Sequence, residues 1–273
     1  MPGEQVEDAL KAAQDLHKQG ISTIVTHLGE NVITELETQT VKEHYLKVLE
    51  QVHSAGLDTH ISVKLTELGL DQNHDLCYSN LKQLIQTAGR FGNYVWIDME
   101  GSIYTAGTLQ IYERARKEFE NVGVCLQSYL YRTAEDLDKL LAVSPGIRLV
   151  KGAYAEPASV AFEKKSDNDE NYFKLARTML LLAKDGRLVA GFGTHDQNLI
   201  GRIRELSENM SVSSSAYEVQ MLYGIRRQDQ LRLVREGARV RVLISYGTYW
   251  FPWYMRRLAE RPANLLFVLR NLW

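Results

Sequence analysis

Short apolar runs alternate with longer amphipathic stretches along the chain. There are eight runs of five to seven residues, and several are rich in β-branched residues and apolar at nearly every position. This pattern is typical of strands that are buried on both faces, as in a parallel sheet. The predicted strands occupy residues 21–26, 60–65, 94–99, 122–128, 147–152, 188–193, 216–221 and 240–244.

The stretches between these strands have the periodicity of helices. Within residues 41–52, Val41, Tyr45, Val48 and Val52 recur at spacings of three and four and form one apolar stripe. Similar stripes predict helices over residues 76–88, 109–119, 134–141, 171–183, 199–206 and 228–234, with a leading helix over 5–18.

Strands that alternate with helices pair in parallel through right-handed crossovers. Eight such repeats predict an α/β protein with one (βα)8 barrel of the TIM type over residues 1–273. An open doubly wound sheet is the weaker alternative, because Leu28-Gly29-Glu30 follows the first strand in place of a glycine-rich dinucleotide turn. A final helix is expected to cap the barrel mouth.

The composition argues against a nucleic-acid partner and favours a reducing compartment. A net charge of −2 gives no basic field for nucleic acid. The two cysteines, Cys77 and Cys125, cannot form a disulfide framework, which favours a reducing compartment. Because no secretory signal or membrane span is visible, we expect a cytoplasmic protein. The oligomeric state cannot be read from the sequence.

Polar residues cluster where the predicted strands end, which is where barrel enzymes carry their active sites. Lys64, Asp98 and Lys151 are each flanked by apolar residues, so each needs a partner or a ligand. The alternative is internal pairing within the barrel. The full set is Glu30, Lys64, Asp98, Glu100, Gln127, Arg148, Lys151, Thr194, His195, Asp196, Glu218 and Gln220.

Metal binding and Schiff-base formation are the two other kinds of chemistry to consider at these positions. His195 has no second histidine or cysteine at metal-ligand spacing, so no metal is predicted. A buried lysine can form a Schiff base with a carbonyl substrate, and Lys64 or Lys151 could serve. An aldolase or lyase on the same barrel therefore stays open.

Arg256 and Arg257 lie on the predicted helix after the last strand, with Glu260 three to four residues further on. Glu260 can hold either guanidinium at that spacing. An aromatic segment flanks the pair, so we expect the helix to cover the barrel mouth and to aim the arginines at a carboxylate or phosphate. An exposed, salt-bridged helix face is the alternative.

Seven motifs in order resemble the catalytic barrel of the proline dehydrogenase family. They contain Lys64, Asp98, Gln127, Arg148 to Tyr154, Thr194 to Asp196, Tyr217 to Gly224 and Tyr254 to Arg261. The resemblance runs from Leu28-Gly29-Glu30 to the C-terminus. It implies a flavoprotein of proline catabolism that binds FAD at the barrel mouth. Such an enzyme oxidises L-proline, or a close cyclic imino acid, to Δ1-pyrroline-5-carboxylate.

The resemblance also implies residue roles and an electron acceptor. Hydride would pass to flavin N5 and the electrons to a quinone, which would bring the protein to the inner face of the membrane. Asp98 would position Lys64, and Glu30 would pair with the first arginine as a gate when the site is empty. The substrate would contact Lys64, Asp98, Ala153, Tyr154, Leu222, Leu243, Trp253, Arg256 and Arg257, the catalytic set being Lys64, Asp98, Arg256 and Arg257. FAD would contact Gln127, Arg148, Val150, Lys151, Gly152, Ala153, Thr194, His195 and Glu260.

Two positions depart from the family pattern. Leu243 and Trp253 stand where the family typically carries tyrosines, the first of them against the substrate ring. Loss of a phenol opens space beside the substrate ring. We therefore hypothesise that the site discriminates less strictly between proline and cyclic imino acids with a substituted or larger ring. Neutral drift is the alternative, and a non-catalytic homologue that binds flavin or an amino acid also stays open.

Overall fold

The computed structural model describes residues 1–29, 32 and 34–251. Eight parallel strands pair in chain order, and the last pairs with the first, from Ser22↔Arg241 to His27↔Tyr246. The strands are β1 Ser22–His27, β2 Thr59–Val63, β3 Val95–Ile97, β4 Val122–Gln127, β5 Gly146–Val150, β6 Val189–Gly193, β7 Tyr217–Leu222 and β8 Val240–Tyr246. The predicted (βα)8 barrel is therefore confirmed.

The helices surround this barrel, and three of the described α-helices begin at a residue whose side chain caps the helix: Thr34, Asn73 and Asp196. Before α2, the Thr34 hydroxyl accepts a hydrogen bond from the Glu37 amide (3.2 Å), and the Glu37 carboxylate accepts one from the Thr34 amide (2.9 Å). The helices are α1 Val6–His17, α2 Glu35–Ser54, α3 His74–Arg90, α4 Thr105–Glu118, α5 Thr133–Leu140, α6 Lys165–Lys184, α7 Gln197–Asn209 and α8 Arg227–Arg235. No described helix combines the length and apolarity that a membrane crossing requires.

The N-terminal end of the barrel holds an ionic cluster around the buried Arg241 and Glu218, which we call the bottom cluster: Asp58, His60, Glu218, Arg239 and Arg241. Arg241 Nε donates to Glu218 Oε2 (2.9 Å), and its Nη1 donates to Asp58 Oδ1 (3.0 Å). Arg239 Nη2 donates to the other oxygen of Glu218 (2.8 Å). Burial first, and then the charge of Arg241, lower the pKa of His60 to about 3.

The position of Glu218 corrects one prediction. Glu218 was placed with the polar strand ends of the active site, but it is the second residue of β7 and pairs at the opposite end of the barrel. The apolar run did not show where the strand begins, and β7 continues to Leu222. The predicted helix that caps the mouth lies outside the described residues.

Candidate active site

The C-terminal end of the barrel opens into a cavity of about 590 Å³, which we call the mouth cavity. Every strand, or the loop after it, contributes to its wall. The predicted site residues that line it are Lys64, Asp98, Gln127, Arg148, Val150, Lys151, Gly152, Ala153, Tyr154, Thr194, His195, Asp196, Gln220, Leu222 and Leu243. The structure thus brings together residues from seven strands of the barrel that the sequence placed at one rim.

Lys64 follows β2 and contacts a carboxylate that the sequence analysis missed. Its Nζ lies 2.5 Å from Oε1 of Glu67, in the short helical turn Thr66–Leu68. The Glu67 side chain is 3% exposed. The resemblance assigns the positioning of Lys64 to Asp98, whereas the contacting group here is Glu67. An acid three residues after a buried lysine was the available signal, because a single helical turn brings such residues together.

Opposing effects set the protonation of this pair. Burial lowers the pKa of Lys64, but the carboxylates of Glu67, Asp98 and Glu100 outweigh burial and raise it. Burial raises the pKa of Glu67 to about 7, against the opposite effect of Lys64. Lys64 is therefore a charged ammonium, and Glu67 is the acid closest to accepting a proton at neutral pH.

Asp98 pairs across the barrel with Arg148. Ser62 bridges the two, since its hydroxyl donates to Asp98 Oδ1 (2.8 Å) and accepts from Arg148 Nη2 (3.0 Å). Arg148 is buried, and its Nη1 has no hydrogen-bond partner among the described residues. The same holds for Oε1 of Gln127 on β4, within the part of the chain that the structure describes. Buried polar atoms are normally bonded, so these two atoms leave hydrogen-bonding capacity open at the cavity.

A second ionic group lies on the side of β5 and β6. Lys151 Nζ contacts Asp169 Oδ1 (2.6 Å) and Asp196 Oδ2 (2.9 Å). Although burial raises the pKa of Asp196, the hydrogen bond and charge of Lys151 lower it to about 2. Nε2 of His195 accepts a hydrogen bond from the Leu222 amide (3.2 Å), which puts the proton of a neutral ring on Nδ1.

Gly152 shapes the loop after β5. Its φ is 106°, and a Cβ there would lie 2.3 Å from the Tyr129 ring. Only glycine fits this position, which allows the backbone of the loop to line the mouth cavity. Glu30, Trp253, Arg256, Arg257 and Glu260, predicted for the gate, the substrate and the cofactor, lie outside the described residues.

Comparison with known proteins decides the family. The family model described as proline dehydrogenase matches residues 9–270. The chain belongs to the proline dehydrogenase family. The resemblance and the oxidoreductase class predicted from the sequence are thereby confirmed.

Relatives of this family cover almost the whole chain. Proline dehydrogenase 2 of Bacillus subtilis strain 168 is 40% identical over 99% of this chain and 88% of its own length. A proline dehydrogenase of Deinococcus radiodurans is 38% identical over 99% of this chain and 87% of its own. Among solved structures, proline utilization A from Bdellovibrio bacteriovorus matches with a TM-score of 0.88 and 22% identity, over 95% of this chain and 32% of that one. This last likeness concerns the fold alone.

Proposed function

We propose that this protein oxidises L-proline, or a close cyclic imino acid, to Δ1-pyrroline-5-carboxylate with FAD as its cofactor. The observation that carries the proposal is a charged lysine, Lys64, that lines the mouth cavity of a proline dehydrogenase barrel together with the buried Arg148. A cyclic amino acid needs a cation for its carboxylate and an apolar wall for its ring. The mouth cavity contains both.

The described residues fit a flavin. Gln127 Oε1 and Arg148 Nη1 are buried at the cavity without partners in the described part of the chain, as expected of atoms that bind a polar ring system. The residues that would hold FAD are Gln127, Arg148, Val150, Lys151, Gly152, Ala153, Thr194 and His195, with Glu260 as a further expectation. When bound, the flavin supplies a hydride acceptor at N5, which no side chain can provide.

The side chains prepare the substrate. Lys64 would hold the carboxylate, with Arg256 and Arg257 as further anchors and Glu30 as the gate. A cluster of cations disfavours the ammonium form of the substrate nitrogen and so favours the neutral amine, from which hydride loss is possible. Leu222, Leu243, Ala153 and Tyr154 would exclude water from the ring.

The Schiff-base alternative has less support. A lysine nucleophile needs a lowered pKa, whereas the carboxylates around Lys64 outweigh burial and raise its pKa. Lys151 is held between Asp169 and Asp196. Lys64 is thus arranged to stay charged, and the amine of Lys151 is engaged by two carboxylates.

The ring specificity is a further part of the proposal. Leu243 is paired in register with Leu222, and both line the mouth cavity. This apolar pair would contact the ring edge without a hydroxyl, which favours acceptance of substituted or larger rings. Steady-state kinetics with proline, 4-hydroxyproline and pipecolate on the wild type and Leu243→Tyr test this. An unchanged ranking of the three substrates in the variant would contradict it.

The function is tested by the visible absorption of the purified, FAD-loaded protein. Bleaching of the flavin band on anaerobic addition of L-proline is the expected result. A flavin that binds but never bleaches with any imino acid would point to a non-catalytic homologue. Borohydride trapping of a substrate–lysine adduct would instead support the aldolase.

The electron acceptor is the remaining part of the proposal. We expect a membrane quinone, reached by peripheral contact, and this expectation rests on the family resemblance. Reoxidation of the proline-reduced protein by a soluble quinone analogue, faster than by oxygen, is the expected outcome. Equal rates with the two acceptors would contradict it.

A further inference from the structure

Glu67 has surroundings that a purely structural acid would not need. Its Oε1 contacts Lys64, while its Oε2 is buried and has no partner among the described residues. Gly29, which follows β1, lies beside it, since a Cβ there would lie 3.4 Å from Oε1. Glu67 is thus enclosed between Lys64 and Gly29, next to the mouth cavity that Lys64 lines.

We propose that Glu67 is the positioning residue for Lys64 and that it takes up a proton from solvent when a carboxylate binds there. The inference rests on the proposed function, because it takes Lys64 as the anchor of the ligand's carboxylate. It goes beyond that function by coupling substrate binding to pH through a residue that does not touch the substrate.

The ammonium of Lys64 has enough N–H donors to bind Glu67 and a ligand carboxylate at the same time. A lysine has three N–H donors, and Glu67 is the acceptor within hydrogen-bond distance of Lys64 Nζ in the described residues. A ligand carboxylate on another donor would place two negative groups around the same nitrogen in a buried site. Like charges at such separations disfavour each other, so the acid with the higher pKa takes up a proton.

Glu67 is that acid. Burial has already raised its pKa to about 7, whereas an ordinary ligand carboxyl titrates near 4 to 5, roughly like a glutamic acid. Once protonated, Glu67 keeps a carbonyl oxygen that can accept from Lys64. The lysine therefore stays in place while the net charge around it becomes more positive, which favours the bound anion.

Other titratable groups lie around Glu67, and each differs from it in pKa or in its bonding. Tyr45 on α2 and Tyr246 on β8 have pKa values that burial raises far above neutral. Burial lowers the pKa of His27, at the end of β1, to about 4. Asp98 is bound by Arg148 and Ser62. Glu100 is the nearest rival, because burial raises its pKa as well, but it accepts from the Thr66 hydroxyl (2.7 Å) and amide (3.3 Å).

The test uses cyclopentanecarboxylate on the FAD-loaded protein. This probe has the ring and the carboxylate but no amine, so it neither reacts nor titrates near neutral pH. Calorimetry in buffers of different ionisation enthalpy counts the protons taken up per bound ligand. For the wild type at pH 8 we expect uptake of a large fraction of one proton, and a Kd that rises with pH by up to about tenfold per unit.

Three variants sharpen the result. Glu67→Gln keeps the carbonyl acceptor but cannot titrate, so its Kd should be independent of pH, with no proton uptake and tighter binding than the wild type at pH 8. Glu67→Ala loses the positioning contact, so its Kd at pH 7 should rise several-fold, and the Gln variant should restore it. Glu100→Gln, the matched control in the same cluster, should keep the proton uptake.

The proposal is overturned if Glu67→Gln takes up as many protons as the wild type, or if Glu100→Gln abolishes the uptake. Binding of the probe to the wild type without proton uptake would overturn it as well, while bleaching by proline in the same preparation would leave the proposed function standing. Failure of the probe to bind would remove Lys64 as the carboxylate anchor and, with it, both the inference and that part of the function.

Discussion

The two ends of the barrel contain similar charged residues, but they differ in how fully those residues are paired. In the bottom cluster, all three guanidinium nitrogens of Arg241 and both oxygens of Glu218 have partners. At the mouth, atoms of Glu67, Gln127 and Arg148 are buried without partners in the described residues. Complete pairing is expected of a structural cluster, and unpaired buried atoms beside a cavity are expected of a ligand site.

This contrast also separates burial from function. Arg148 and Arg241 are both almost completely buried. The burial of a charged side chain therefore does not identify the active site by itself. The distinction lies in whether the protein alone satisfies each buried atom, and substitutions at the two ends should have different effects.

The largest expected effect is on stability at the bottom cluster. Arg241→Met leaves the buried Glu218 without its main cation and removes the partner of Asp58. We expect the free energy of unfolding to fall by about 3–5 kcal/mol, as when one partner of a buried pair is removed. Urea denaturation measures this, and the folded variant should keep the wild-type kcat/KM for proline. A loss below roughly 1 kcal/mol, the range of exposed pairs, would contradict the stabilising role.

At the mouth, Lys64→Met should impair substrate binding. Loss of a charge-assisted hydrogen bond is worth about 1.5–3 kcal/mol, so kcat/KM for proline should fall by roughly tenfold to a hundredfold, mainly through KM. The loss of stability should be smaller than in Arg241→Met, because Glu67 can become neutral by binding a proton. A variant with normal KM and greatly reduced stability would reverse the comparison.

The pH dependence of stability should also differ between the two ends of the barrel. At the bottom cluster it depends on His60. Its pKa is lowered in the folded state, so its contribution is present above pH 6.5 and is lost as the pH falls toward 3. At about 1.4 kcal/mol per unit, the loss between pH 6.5 and 5 is about 2 kcal/mol. Urea unfolding of the wild type should show this loss relative to His60→Gln. Parallel pH profiles of the two proteins would argue against it.

At the mouth, the contribution of Glu67 to stability should change with pH in the opposite direction. Its pKa is raised in the folded state, so its contribution is present below pH 4.5 and is lost as the pH rises through about 7. Compared with Glu67→Gln, the wild type should lose roughly 1 kcal/mol per unit between pH 5 and 6. The same unfolding series measures both residues, and a shift of the same sign at both ends would contradict the assignment.

The fold was predictable because each strand lies in a short, mainly apolar run between helical patterns. All eight runs overlap the observed strands, although β3 ends at Ile97, before Asp98 and Glu100. These acids bond groups at the mouth, and the strand pairing stops where they begin. Periodicity alone could not show this end point.

The site was predictable as a set of residues but not as a set of pairs. A buried lysine or arginine on an apolar strand is visible in the sequence, and Lys64 and Arg148 were identified in this way. Which acid each one contacts depends on the geometry between strands, so Glu67 was missed. Glu218 was placed at the wrong end, because its charge was visible but its depth along β7 was not.

The most direct test of the difference between the two ends is the affinity of cyclopentanecarboxylate for folded Lys64→Met and folded Arg241→Met at pH 7. We predict that the Arg241 variant binds the probe as the wild type does, while the Lys64 variant binds it at least about tenfold more weakly, as expected from the loss of a charge-assisted hydrogen bond. Equal affinities in the two variants would contradict the assignment of the mouth charges to the ligand and the bottom charges to the fold.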